Sequence, residues 1–251
     1  MFTATDIIVA ILFFLTAALY ASVGHAGASG YLAVMALFGF AAPVMRPTAL
    51  ALNIIVAAIG TYKFYRAGNF SWRIFLPFAA GSIPFAFIGG ALTLPTQIYK
   101  PIVGAVLLYS TIRLFQSTRW NGKDNAEPAP VPVWMGVSVG VVIGLLSGLT
   151  GVGGWIFLSP RIVLMNWADA RHSAGVSAAF ILVNSAAGLL GHSGGLSNLP
   201  ASIPPWAVVV IVGGYLGAEF GSRRFSNATI KRLLAAVLVI GGLKMIIEAF
   251  G

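Results

Sequence analysis

Residues 132–165 read PVWMGVSVGVVIGLLSGLTGVGGWIFLSPRIVLM and carry a single charge, Arg161. Up to Ser147 the run is apolar on every face, which excludes the alternating strands of a membrane barrel and predicts a lipid-embedded helix. Glycines at 148, 151, 153 and 154 then interrupt it. The apolar sequence that resumes lasts only 13 residues, from Gly153 to Met165, with Pro160-Arg161 inside it. Thirteen helical residues rise about 20 Å, whereas a full crossing needs about 30 Å. The stretch therefore predicts a spanning helix, a glycine break and an undersized helix behind it.

The remainder of the chain has the same character. Its 251 residues are 58% hydrophobic and 8% charged, with 30 glycines besides and a mean hydropathy of +0.91. Soluble domains carry about 25% charged residues. So few charges cannot cover a soluble surface, and an all-α integral membrane protein is expected rather than a soluble enzyme or a secreted domain. The net charge of +9 comes from basic residues scattered between apolar segments, not gathered in one patch. That placement suits loops on the cytoplasmic face of a bilayer and gives no reason to expect a nucleic-acid partner. With no cysteine there is neither a disulfide framework nor thiolate chemistry. Three histidines without paired acids make no metal constellation, so no metal or other cofactor is expected. The first apolar stretch starts at Ile7 with no basic region before it, and reads as an uncleaved helix.

Ten apolar segments can be drawn, at roughly 5–22, 28–43, 47–65, 72–93, 96–117, 132–149, 153–165, 170–191, 204–221 and 229–249. They predict a polytopic bundle of eight to ten membrane segments. The most polar stretch, STRWNGKDNAEPAPVP at 117–132, divides them five and five. The domain reading is a first membrane repeat at 1–117, a linker at 118–131 and a second repeat at 132–251. If every segment crosses, 12 of the 15 basic residues share the linker's side, leaving Arg46, Lys100 and Lys244 on the other. The positive-inside rule then puts the linker in the cytoplasm and both termini outside a bacterial-type inner membrane. An odd number of crossings per half inverts one half relative to the other. Hairpins in place of the first two segments of each half leave the sidedness unchanged.

The halves also match at a shift of 124 residues: Gly24, Gly27, Gly30 and Tyr31 fall on Gly148, Gly151, Gly154 and Trp155, and Asn53 on Ser177. Farther along, at a shift of 131, Lys100 falls on Lys231 and Arg113 on Lys244. A glycine break recurs at the same place in each half, SVGHAGASG at 22–30 and SGLTGVGG at 147–154. Paired, undersized, glycine-broken segments in inverted halves point to a secondary transporter with its solute held at the breaks. By contrast, Gly136, Gly140, Gly144 and Gly148 recur every four residues and read as a helix-packing face.

The GLTGVGG element at 148–154 with Pro160 behind it, the looser GHAGASG at 24–30 and the two-halved hydropathy together resemble the TauE/SafE family of membrane anion exporters, over nearly the whole chain. In the first half His25, Ala28 and Ser29 stand in a run that is richer in glycine in the family, and Ala36 stands where the second half has Pro160. The resemblance implies export of sulfite or organosulfonates, a small anionic substrate; the alternatives are a proton-coupled carrier of another small organic anion and a membrane scaffold without transport. The sequence offers no nucleophile–base–acid triad and no carboxylate pair, so no enzymatic activity is expected. A homo-oligomer in the bilayer is compatible with the sequence.

Two helix starts facing one cavity offer unbonded N–H groups and positive dipole ends, enough to hold an oxyanion without a lysine. The substrate-binding set read from the sequence is therefore Gly24, His25, Gly27, Ser29, Gly30, Asn53, Gly148, Thr150, Gly151, Gly153, Gly154 and Ser177. Ser22, Ser147, Ser173, Asn184 and Ser185 are further polar groups at the same level, equally suited to helix–helix hydrogen bonds. His25 is also a gating candidate, since an imidazole titrates near neutrality. Glu219 is either a coupling carboxylate or the partner of Arg223 four residues on. His172 and His192 flank the eighth segment and are too far apart to share a ligand.

Overall fold

The computed structural model describes residues 4–116, 130–192, 197, 199–223 and 228–250. Most of the linker, residues 118–129, lies outside them, as do the side chains of Arg113, Arg223 and Lys231. Among the described residues there are ten helices and no strand: α1 (Ala4–Ala21), α2 (Ala28–Leu37), α3 (Ala42–Arg66), α4 (Trp72–Ala91), α5 (Thr96–Gln116), α6 (Val133–Thr150), α7 (Trp155–Leu164), α8 (Ala170–Gly191), α9 (Ile203–Arg223) and α10 (Ala228–Phe250). At least five of them, α3, α4, α6, α8 and α9, are long and apolar enough to cross a membrane. The chain is a multi-pass membrane helix bundle, as its hydropathy predicts.

The helices start and stop where local chemistry requires. α6 ends on Gly151 in the left-handed region (φ +82°), and α7 is entered through Gly154 (φ +79°). α2 is entered through Gly27 (φ +103°). One boundary departs from expectation. The apolar run at 28–43 is not one segment: α2 stops at Leu37, Gly39 turns the chain at φ +73°, and α3 starts at Ala42 with Pro43 in its first turn. Hydropathy is blind to this turn because Phe38, Phe40 and Ala41 are as apolar as the helix before them. As a result α2 and α7 are equal in length, ten residues and about 15 Å each.

The main packing partners lie across the linker. α1 packs on α9, α3 on α8 and α9, α4 on α6 and α8, and α5 on α10. Small residues allow the close approaches. On α6, Gly136, Gly140, Gly144 and Gly148 lie against Pro77, Phe78, Ser82 and Ala86 of α4, so a methyl group at any of them would run into the neighbouring helix. The reading of that row as a packing face therefore holds, and Gly148 belongs to it. On the other side Gly213 and Gly217 of α9 meet Phe14 and Ala18 of α1 in the same manner. Between these seams α2, α3, α7 and α8 enclose the two glycine breaks.

Candidate functional site

The first break begins where α1 runs out. The amides of Val23 and His25 both turn back to the Tyr20 carbonyl, at 3.1 and 2.8 Å, and Gly24 reverses the chain at φ +75°. The second break has the corresponding plan. The Thr150 hydroxyl accepts the Val152 amide at 3.3 Å, and Gly151, Gly153 and Gly154 all sit near φ +80°. No side chain caps α2 or α7. The contrast with α8 is instructive: its start carries Asp169, whose carboxylate accepts the His172 amide at 2.8 Å. Among the helix starts described, α8 has a side-chain cap whereas α3, α4 and α6 start from Ala41, Ser71 and Pro132 without one, and what sets α2 and α7 apart is entry through a left-handed glycine.

The breaks touch one another. The His25 ring from the first stacks on the Trp155 indole from the second, centroids 3.6 Å apart and planes 24° from parallel. Tyr20 closes on the edge of the same indole at 5.5 Å. Beside this stack lies a polar strip on α3 and α8. Asn53 donates to Ser185 Oγ at 3.4 Å, and a Cβ at Gly153 would lie 3.0 Å from the Asn53 amide nitrogen and from Ile181. Asn53 Oδ1, Ser147 Oγ and Ser177 Oγ are buried with no hydrogen-bond partner, and so is the Trp155 indole N–H. Unpartnered buried polar atoms are costly unless something else, a solute or water, meets them.

The other sequence-selected residues are distributed as follows. Ser29 is fully buried and meets Ser110 of α5 at 3.5 Å. Gly27 and Gly30 leave room for Thr16 and Tyr31, and Gly24 for Ala174 of α8. Thr150 also back-bonds to Leu146 and receives Tyr99 on its carbonyl. Ser22 bonds back to Leu19 at the end of its own helix, whereas the bonds of Ser173 to Ser159 and of Asn184 to Ser82 join neighbouring helices, with Asn184 also bonding Phe180 while its Oδ1 is buried without a partner. Glu219 has a partner that the sequence does not suggest: Lys63 of α3, at 2.5 Å, with that ammonium also 4.0 Å from the centre of the Tyr215 ring. The expected pairing with Arg223 lies outside the described side chains.

Three residues at the breaks were not singled out by the sequence. Trp155 and Tyr20 look like ordinary membrane aromatics until their rings meet His25. Arg46, assigned to an outer loop, is instead 3% exposed and lies against Gly151, 3.1 Å from where its Cβ would be. Its only sequence signal is a charge placed among apolar residues with Pro47 following it.

An all-helical membrane bundle whose two short helices start from uncapped glycine breaks in contact with one another is the architecture of a membrane transporter. Comparison with known proteins agrees. The model of the family described as "Sulfite exporter TauE/SafE" matches residues 9–245, and the chain belongs to that family. A relative from Sinorhizobium fredii, "Probable membrane transporter protein y4hK", is 42% identical, covering 94% of this chain and 96% of its own length. "Probable membrane transporter protein YjnA" of Bacillus subtilis is 29% identical over 91% and 95%. The archaeal "Probable membrane transporter protein MJ0441" of Methanocaldococcus jannaschii is 24% identical over 80% and 78%. No solved structure matches the chain.

Proposed function

We propose that this transporter exports small anions, sulfite or organosulfonates, and binds them where the two glycine breaks meet. The observation that carries the reading is the contact of two uncapped helix starts through His25 and Trp155, with buried, unpartnered Ser147, Ser177 and indole N–H donors around them. Each helix start contributes about half a positive charge, and together they suit one anion. His25 and Asn53 add polar contacts on either side, while Glu219 serves structure at the α3–α9 contact through Lys63.

The repeat reading is supported by packing. α1 on α9 mirrors α6 on α4, α3 on α9 mirrors α8 on α4, and α3–α8 and α5–α10 are each their own mirror. An axis relating the two halves passes between the breaks in such a scheme, and the anion would lie on it. With the linker inside and both termini outside an inner membrane, an inside-negative potential favours exit by about 2.3 kcal/mol per charge per 100 mV. Flux into and out of proteoliposomes tests this, using sulfite, an alkyl sulfonate, sulfate and a carboxylate under imposed potentials. Sulfite or sulfonate flux that rises with the potential and needs no proton gradient is the expected result. Flux indifferent to the potential but dependent on a proton gradient would reject uniport.

A further inference from the structure

We propose that Arg46 is a positioning residue that clamps the second glycine break, and that protonation of His192 releases the clamp. The guanidinium lies where three helices end. It donates to the carbonyls of Gly90 and Leu92 at the end of α4, at 2.7 and 3.0 Å, and to Leu149 at the end of α6, at 3.3 Å. A fourth bond runs to Nδ1 of His192, the residue that caps α8, at 2.5 Å. The last carbonyls of a helix are unbonded and carry its negative dipole end. One buried cation thus satisfies carbonyls at two such ends, those of α4 and α6, and reaches the end of α8 through the His192 ring, while its own backbone and Cγ back Gly151, where α6 gives way to the break.

The bond to His192 has a required protonation state. A guanidinium has only donors, so Nδ1 must be an acceptor and the ring proton must be on Nε2. Among the described residues nothing bonds Nε2, and no carboxylate from α3, α4, α5, α6 or α8 reaches the pair. The charged group facing the imidazole is Arg46 itself, with the Tyr99 phenol of α5 near the guanidinium. A proton on Nδ1 would set donor against donor and cation against cation, with no anion to compensate. His192 lies just past the last residue of α8. Burial first, and the Arg46 charge second, lower its pKa from the ordinary 6.5, against a smaller opposite effect of the Gly90 carbonyl. The sign follows: the folded state binds fewer protons than the unfolded one, so the clamp is intact above 6.5 and weakens as the pH falls from there. With the termini outside, this end of the bundle faces outward, and external acid would loosen the break. The clamp is independent of which solute the break holds.

The native chain has no cysteine, so Val152→Cys places a single thiol in the buried second break. Its reaction with N-ethylmaleimide is followed on folded, monodisperse protein in detergent, with His192 or with His192→Gln, whose amide oxygen can accept from Arg46 but takes up no proton. Taking the ratio of the two rates at one pH cancels the titration of the thiol. The ratio is expected to be near one at about pH 7.5 and to reach at least about fivefold at about pH 5.5. Arg46→Lys, which keeps the charge but not the fork of donors, should label at least about fivefold faster than the native pair already at about pH 7.5. A ratio that does not change with pH overturns the release, and Arg46→Lys labelling at the native rate overturns the clamp. Should His192→Gln fail to fold, the rate for the His192 protein divided by that of a free thiol at the same pH carries the test. That quotient must rise on acidification, and a flat profile overturns the release.

Discussion

Gly153 shows how much one missing side chain can decide. At φ +81° an alanine there would hold a left-handed conformation that costs about 1–2 kcal/mol, and its methyl group would press on Asn53 and Ile181. Gly140, in equally apolar surroundings, instead faces the Phe78 carbonyl across the α4–α6 seam. Gly153→Ala is therefore expected to lose anion affinity by about tenfold or more in protein that still elutes as one folded species. Gly140→Ala should lower the unfolding midpoint before affinity changes. Equal anion affinity in folded Gly153→Ala and wild type would move the binding site off the second break. Asp169 offers a separate test at the membrane surface. Burial raises its carboxyl pKa, but the amide and ring of His172 outweigh this and hold it below the usual 3.8. Such a depressed acid stabilises the folded state above its ordinary value and stops doing so as the pH falls through the folded one. Removing the cap in Asp169→Ala should cost about 1 kcal/mol near neutrality, and the difference in thermal midpoint from wild type should close in strong acid.

At the scale of the element, what could be read from the sequence and what could not separate cleanly. The glycine breaks, the ten helices and the packing row at 136–148 were legible because each depends on residues near one another in the chain: hydropathy, chain-reversing glycines, a period of four. The early end of α2 was hidden, since the turn at Gly39 is made of residues as apolar as its flanks. Contacts between residues far apart in the chain were hidden for a different reason. Arg46 finds its partners 44, 46, 103 and 146 positions away, and Glu219 finds Lys63 at 156, distances at which spacing carries no signal. His25 is legible from its place inside the first break and Asn53 from the repeat, whereas Trp155, the residue joining the two breaks, falls on Tyr31 in the repeat and carries no further signal. The α4–α6 seam has a measurable strength of its own. Gly144→Val, larger than the alanine at 140, should clash with Ser82 over more atoms and destabilise the protein by about 1–3 kcal/mol. A thermal midpoint equal to that of wild type would mean that the seam tolerates separation.

For the whole molecule the open quantity is orientation, and the lack of native thiols makes it accessible. Cysteine introduced at Asn125, in the linker, should resist an impermeant thiol reagent applied to intact cells and react once the membrane is opened. Labelling from outside would invert the topology, and with it the side on which the Arg46 clamp meets solvent. The exchange of partners across the linker has a consequence for biosynthesis. α1, α3, α4 and α5 are all made before any of the helices that bury their close-packing faces, since those partners are α6, α8, α9 and α10. A ribosome that has delivered the first 117 residues has placed a cluster of orphan surfaces in the bilayer, among them an arginine whose histidine acceptor is 146 residues from it. The early half has to persist in the lipid, open to quality-control proteases, until the late half is threaded in beside it. Stalled or truncated chains should be degraded, whereas two separately encoded halves, present together, should rescue each other from that fate.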